Sequence, residues 1–394
     1  MKIRTNEKGS VAISCLLIML PVFEYYASFI KALDLASFLV IAYFIFFSFS
    51  GQMRSSWNCI LLLGMYIILA MPVSIVAFKG EMLTGYSDAG QILLRVFKLT
   101  ALFFIIFACG VYKKFNLKTA IKIMSLIVYV TTAFIIVQRI SYSLGHEIIN
   151  PLDRFVRYGR EETVSQGASG FYRPSSLFFE PAHLAQYVLF YICLRLFDEN
   201  RTKQNIFDSI CGSVAIVCST SGQGILMLVV LYIIFSFTYV NKNIFKTLGM
   251  LSLIILGSIF LYKFDFVAKA MNRIFTGDFE SSAVSYRIGY GLDLFRSLPL
   301  ALKVFGCGFG NVPVGVYFNG LEYVLNTLGV LGLLIVLLLL AANFLRVKFA
   351  GKVIVLVYFC LLCGAQMFSA ISLSFTFNLL YHLRKGSVDI SEKR

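Results

Sequence analysis

Two stretches of the chain concentrate arginine: Arg154, Arg157, Arg160 and Arg173 in one, Arg273, Arg287 and Arg296 in the other. A guanidinium is planar, permanently charged and forked, so it grips phosphate or carboxylate through paired N–H bonds. Residues 151–162, PLDRFVRYGREE, read as a short amphipathic helix with Pro151 in its first turn. Arg154, Arg157, Tyr158 and Glu161 recur at helical spacing and share one face. That face either holds an anion, with Arg160 beside it, or is solvated and paired with Asp153, Glu161 and Glu162.

Residues 171–186, FYRPSSLFFEPAHLAQ, carry the most varied chemistry. Arg173 stands before Pro174, and Glu180-Pro181 opens an apolar run or lies in its first turn. A carboxylate near a lipid boundary is costly unless paired or used. Its place suits it to general-base work, and the plainer alternative is a structural pair with arginine. His183 follows at helical spacing, where orienting Glu180 suits it better than replacing it.

Residues 281–299, SSAVSYRIGYGLDLFRSLP, read as a helix capped by Ser281 or Ser282 and stopped near Pro299. At 100° per residue Arg287 and Arg296 fall half a turn out of phase, and both reach one pocket only if the helix breaks at Gly289 or Gly291. Arg287 is the better candidate for a site, and Arg296 the better partner for Asp293. The run from Phe305 to Asn311, FGCGFGN, lets backbone N–H groups approach a ligand beside Asn311, or is a plain turn. It follows no strand, so a dinucleotide fingerprint is excluded. Arg95 and Lys98 sit at the start of an apolar run, either on a substrate or snorkelling to head groups. Gln138, Arg139 and the run 219–223 also fall at apolar-run ends, with Asn326 deeper.

The elements that must position these residues follow from composition. Of 394 residues, 59% are hydrophobic and 14% charged, and the mean hydropathy is +0.82. A soluble domain carries about 25% charged residues, and no soluble fold of this length hides so much apolar surface. The expected fold is all-α and polytopic, one integral membrane domain over 1–394, with about twelve spans. Approximate limits are 10–29, 33–50, 57–78, 92–112, 120–140, 175–197, 206–219, 224–240, 247–262, 317–341, 353–366 and 368–383. The net charge of +15 comes mostly from lysines in short loops, which is the positive-inside pattern and speaks for anionic lipid rather than nucleic acid. It places both termini in the cytoplasm and the loops 141–174 and 263–316 outside. Those two loops favour arginine where the inner ones favour lysine. Of nine cysteines, all but Cys307 fall in or beside apolar runs, so no structural disulfide is expected, and Cys360-x-x-Cys363 reads as packing. No metal-ligand spacing appears.

Three motifs and this architecture resemble the Wzy-type O-antigen and capsule repeat-unit polymerases and their relatives, the O-antigen ligases. The residues are the run from Arg173 through Glu180-Pro181, the Arg287 helix, and the Phe305–Gly310 turn, followed by the helix from Tyr317 with Asn326 and Gly329. The ligases carry a histidine in the second large loop; His146, His183 and His382 lie elsewhere, which favours polymerase. The resemblance implies a bacterial inner-membrane glycosyltransferase with a GT-C-like fold and short helices in its outer loops. It implies polyprenyl-diphosphate-linked oligosaccharide as substrate, membrane lipids and a chain-length regulator as partners, and no metal or cofactor. Glu180 and Arg287 would then be catalytic. Arg154, Arg157, Arg160, Arg173, His183, Arg95, Lys98 and Asn311 would bind substrate. A flippase for lipid-linked sugars is the alternative from another class.

Overall fold

Lipid offers backbone N–H and C=O groups no partner but each other, so apolar runs fold as helices. The computed structural model describes residues 2–23, 66, 115–146, 148, 172–239, 244–275, 289–309, 311–313, 318–365 and 367–384. Apart from Tyr66, the spans expected at 33–50, 57–78 and 92–112 lie outside the described residues.

Twelve helices and no strand stand among the described residues. They are α1 (Lys2–Phe23), α2 (Leu117–Ser143), α3 (Pro181–Leu196), α4 (Lys203–Ser219), α5 (Gly222–Tyr239) and α6 (Ile244–Tyr262). There follow α7 (Asp265–Phe275), α8 (Tyr290–Ser297), α9 (Leu300–Phe305), α10 (Gly320–Arg346), α11 (Phe349–Gly364) and α12 (Ala370–His382). Among the described residues three helical stretches are long and apolar enough to cross a membrane: Leu117–Ser143, Phe245–Tyr262 and Gly320–Arg346. At 1.5 Å per residue the 27-residue helices α2 and α10 reach about 40 Å, beyond the ~30 Å of hydrocarbon. Shorter apolar helices are Val11–Val22, Gly222–Thr238 and Phe349–Gly364. The short helices expected in 263–316 are α7, α8 and α9.

The chain divides into two compact units. One comprises Pro21–Ala32 and Ile121–Ser282. Its centre is α3, whose Val188, Leu189, Phe190, Tyr191 and Ile192 are all fully buried. Gly212 of α4 lets that helix close on α3, since a Cβ there would sit 3.0 Å from Val188 and Ile192 side-chain carbons. The same helices are tied by charge. Asp208 of α4 is fully buried and pairs with Arg195 in the last turn of α3. Tyr129 of α2 donates its hydroxyl to Asp208, and Gln204 donates to Asp208 at 2.9 Å and to the Tyr129 oxygen at 2.8 Å. A carboxylate removed from water needs this full set of donors.

The other unit comprises Met1–Leu20, Leu33–Ala120 and Ala283–Arg394. Asn319 caps α10 in a reciprocal capping box with Glu322, and Gly320 N–H bonds the Ala365 carbonyl at the end of α11 (2.8 Å). At the far end Lys348 N–H bonds Leu383 O at 2.8 Å, so α10, α11 and α12 are fastened at their turns.

α10 is broken. Gly329 leaves the helical conformation at φ 69°, ψ −173°, about 14 Å along from Gly320 at the usual helical rise. Carbonyls one turn earlier therefore lose their usual donors. Cys307 N–H bonds Asn326 O at 2.8 Å and Gly308 N–H bonds Thr327 O at 2.9 Å. Tyr66 Oη donates to Leu328 O at 2.5 Å and to Phe305 O at 3.2 Å. The glycine turn after α9 thus sits against the middle of α10. Two glycines permit it: a Cβ at Gly306 would come within 2.3 Å of Thr327 O, and one at Gly329 within 2.3 Å of Val304 O.

Candidate functional site

In the unit built on α3, the polar groups gather where α2 ends, α3 begins and α4 turns into α5. Gln138 and Arg139, neighbours near the end of α2, bind backbone rather than each other. Gln138 donates to Ile148 O at 3.1 Å and accepts from Ser176 N–H at 3.1 Å. Tyr172 Oη also donates to Ile148 O, at 3.1 Å. Ile148 and Tyr172 flank the segment 149–171, so its two ends are joined at a common carbonyl.

Arg139 Nε donates to Cys218 O at 2.7 Å and Nη1 to Tyr172 O at 3.1 Å. Its guanidinium carbon lies 4.6 Å from the Phe266 ring centre and 5.7 Å from that of Tyr172, within cation–π range. Nη2 is buried without a partner, and Arg139 forms no ion pair among the described residues. The Ser219-Thr220-Ser221 turn closes the cluster, with Thr220 in the left-handed region at φ 56°.

The segment these residues hold is the arginine–proline run. Tyr172 and Phe178 are buried, and Phe178 N–H bonds Ser175 O at 2.9 Å. Ser176, fully buried, adopts φ 53°, a conformation rare for a residue with a side chain. Arg173 is half-buried beside it.

Glu180 is the residue before α3, with Pro181 as the first helical residue. Its extended backbone (φ −136°, ψ 154°) puts it outside the helix. The sequence reading left open whether Glu180 stood within the helix; it does not, so it and His183 are not related by helical spacing. His183 stacks on Phe179 with ring centres 6.4 Å apart. The Glu180 side chain does not cap α3, and it forms no ion pair among the described residues. A half-buried carboxylate thus stands at a helix N-terminus with no cap bond and no ion pair among the described residues.

In the other unit, α8 begins at Tyr290, after Gly289 at φ 138°. Gly289 is not helical, and α8 ends at Ser297, just before Pro299; the cap expected at Ser281 or Ser282 lies outside the described residues. Arg296 pairs with Asp293 at 3.0 Å on the exposed surface, as its helical phase suggests. Asn311 is buried, and its amide donates to Cys307 O at 2.9 Å, closing the glycine turn. Burial pushes the Cys307 thiol up to about 12. Arg95, Lys98, Arg154, Arg157, Arg160 and Arg287 lie outside the described residues.

Two features escaped sequence reasoning. Gln138 and Arg139 were visible as polar groups at the end of an apolar run, but nothing announced that they hold 148, 172 and 176. Glu322 was signalled by Asn319-x-x-Glu322, a capping-box spacing. Among the described residues no group of histidine, cysteine and acid side chains could hold a metal ion. No protein-family model, curated protein or solved structure matches the chain.

Proposed function

We propose that this chain is a glycosyltransferase of the bacterial cytoplasmic membrane that polymerises oligosaccharide repeat units carried on polyprenyl diphosphate, working at the outer face. The observation that carries the reading is Glu180: a carboxylate free of capping and of ion pairing among the described residues, joined by a short turn to Arg173. The growing chain on its lipid diphosphate is the donor. A hydroxyl of the next lipid-linked unit attacks the donor's anomeric carbon, and Glu180 takes the hydroxyl proton. The anomeric carbon–oxygen bond breaks, and the lipid diphosphate leaves with the electron pair. Arg173 and Arg287, with Arg154, Arg157 and Arg160, neutralise that leaving charge through forked N–H donors. His183 orients the site, Arg95 and Lys98 meet the diphosphate at head-group level, and Asn311 fixes the glycine turn beside the substrate.

A second reading, a flippase for the same lipids, draws on the broken helix α10, since interrupted spans line the ion and substrate sites of transporters. Against it, the carbonyls released by the break already accept from Cys307 N–H, Gly308 N–H and the Tyr66 hydroxyl.

A gene deletion read on a polysaccharide gel tests the proposal. Polymerase loss collapses the ladder to a single repeat unit. Loss of all attached polymer marks a ligase instead, and lipid-linked units trapped in the cytoplasm mark a flippase.

A further inference from the structure

Glu322 is only 3% exposed, and among the described residues no cation pairs with it. A buried carboxylate without a counter-ion costs several kcal/mol unless donors surround it. Here the donors are backbone. One oxygen accepts from Asn319 N–H at 3.4 Å, completing the capping box of α10. The other accepts from Gly289 N–H at 2.9 Å, across 33 residues of chain. Capping α10 needs the first bond and not the second.

The second bond belongs to a larger grip. Gly291 lies so close to the same side chain that a Cβ there would come within 2.7 Å of Glu322 Cβ. Asn326, one turn further along α10, donates its amide to Gly291 O at 2.8 Å and to Glu322 O at 2.9 Å. α10 therefore holds Gly289 by its N–H and Gly291 by its carbonyl, on either side of Tyr290, where α8 starts. The elbow they hold has φ 138° at Gly289, which only glycine adopts readily. Arg287 precedes Gly289 by two positions in the chain.

We propose that Glu322, with Asn326, is a positioning residue: its carboxylate clamps the Gly289–Gly291 elbow and so sets the point from which the chain runs back to Arg287. Glu322 touches no substrate. The proposal rests on the reading of Arg287 as a cation for the departing diphosphate. It adds that the elbow from which the chain leads to Arg287 is fixed from α10, by an anion that binds backbone. A lysine or arginine opposite Glu322 would have satisfied the carboxylate equally well, but would not have fixed a glycine elbow.

The full-length chain, expressed in the deletion strain, tests this with Asn319→Ala, Glu322→Gln, Glu322→Ala, Gly291→Ala and the double variant Glu322→Ala/Gly291→Ala. Polymer is normalised to protein in the membrane. Asn319→Ala removes the side-chain cap of α10. Glu322→Gln keeps one acceptor for Gly289 N–H and rescues most activity. Glu322→Ala and Gly291→Ala each lower polymer about tenfold, the scale of one charged hydrogen bond. The double variant is no worse than Glu322→Ala, because a released elbow moves away from the added methyl. In parallel, Tyr290→Cys is labelled with a membrane-impermeant maleimide, Cys307 being buried and its thiol held up near pH 12. Labelling accelerates several-fold in Glu322→Ala and not in Asn319→Ala.

Equal losses in Asn319→Ala and Glu322→Ala, additive losses in the double variant, or labelling indifferent to Glu322 would each overturn the clamp. If Glu322→Ala fails to accumulate, Glu322→Gln and Gly291→Ala still decide it. A parent chain that labels as expected but makes no polymer removes the enzymatic reading and leaves the clamp standing.

Discussion

Glu180 and Arg139 show how differently two charged side chains can be used within one cluster. Glu180 has no ion pair among the described residues, and Glu180→Gln is expected to abolish polymer while the protein still accumulates and binds lipid-linked substrate; full activity in that variant would send the proton elsewhere. Arg139 is committed at Nε and Nη1 to two backbone carbonyls and flanked by two rings. Lysine there keeps the charge but loses the fork. Arg139→Lys should lower thermal stability in detergent by about 1–3 kcal/mol, the cost of leaving buried acceptors unpaired. Arg173→Lys should reduce polymer at constant expression. Arg296→Lys, altering only an exposed pair with Asp293, should change it little. Equal polymer from Arg173→Lys and Arg296→Lys would mean that the fork at 173 is not used.

At the scale of the element, the chain's helices were legible wherever an apolar run ended in a strong local signal. α3 starts at Pro181, six residues inside the span expected at 175–197, because the Ser175–Glu180 stretch is a turn rather than helix, and Pro299 follows the end of α8 as expected. What stayed hidden depends on partners distant in sequence. Gly329 looks like an ordinary helix glycine until the turn at 306–308 supplies donors to the carbonyls before it. Glu322 looks like a cap until Gly289 arrives from the preceding loop. Both broken-helix glycines are set by contact with backbone, which cannot retreat as a side-chain tip can. Gly306→Ala and Gly329→Ala should each sharply reduce the folded fraction recovered in detergent by size-exclusion chromatography, whereas Gly249→Ala, with nothing within 4 Å of its added carbon, should not. The Asp208 network makes a parallel claim for α3 and α4. Asp208→Ala leaves the half-buried Arg195 without this partner and should cost about 1–3 kcal/mol, read as a fall in melting temperature.

For the whole molecule, three helical stretches among the described residues are long and apolar enough to cross a membrane. Its sidedness rests on charge alone. The lysine-rich short loops predict 141–174 and 263–316 outside, against the arginines that those two loops carry. Reporter fusions at Gly167 and Asp278 should both give an outside signal, and an inside signal at either would dismantle the topology together with the proposed site. Composition made the solvent legible because a large excess of apolar residues has only one home. It could not reveal that the chain divides into two compact units, since division depends on which helices choose each other, and apolar faces facing lipid or neighbour read alike.

The interruption in α10 also bears on the order in which the protein can be made. Synthesis runs from the N-terminus, so Tyr66 and the turn at Cys307–Gly308 leave the ribosome before Asn326, Thr327 and Leu328 do. The donors are waiting when the broken segment arrives, and its exposed carbonyls need never face hydrocarbon unaccompanied. A circular permutant that begins at Asn319 and returns residues 300–311 to the end of the chain would reverse that order. It would have the same contacts available once complete, yet it would deliver a helix to the bilayer before the residues able to close its gap exist.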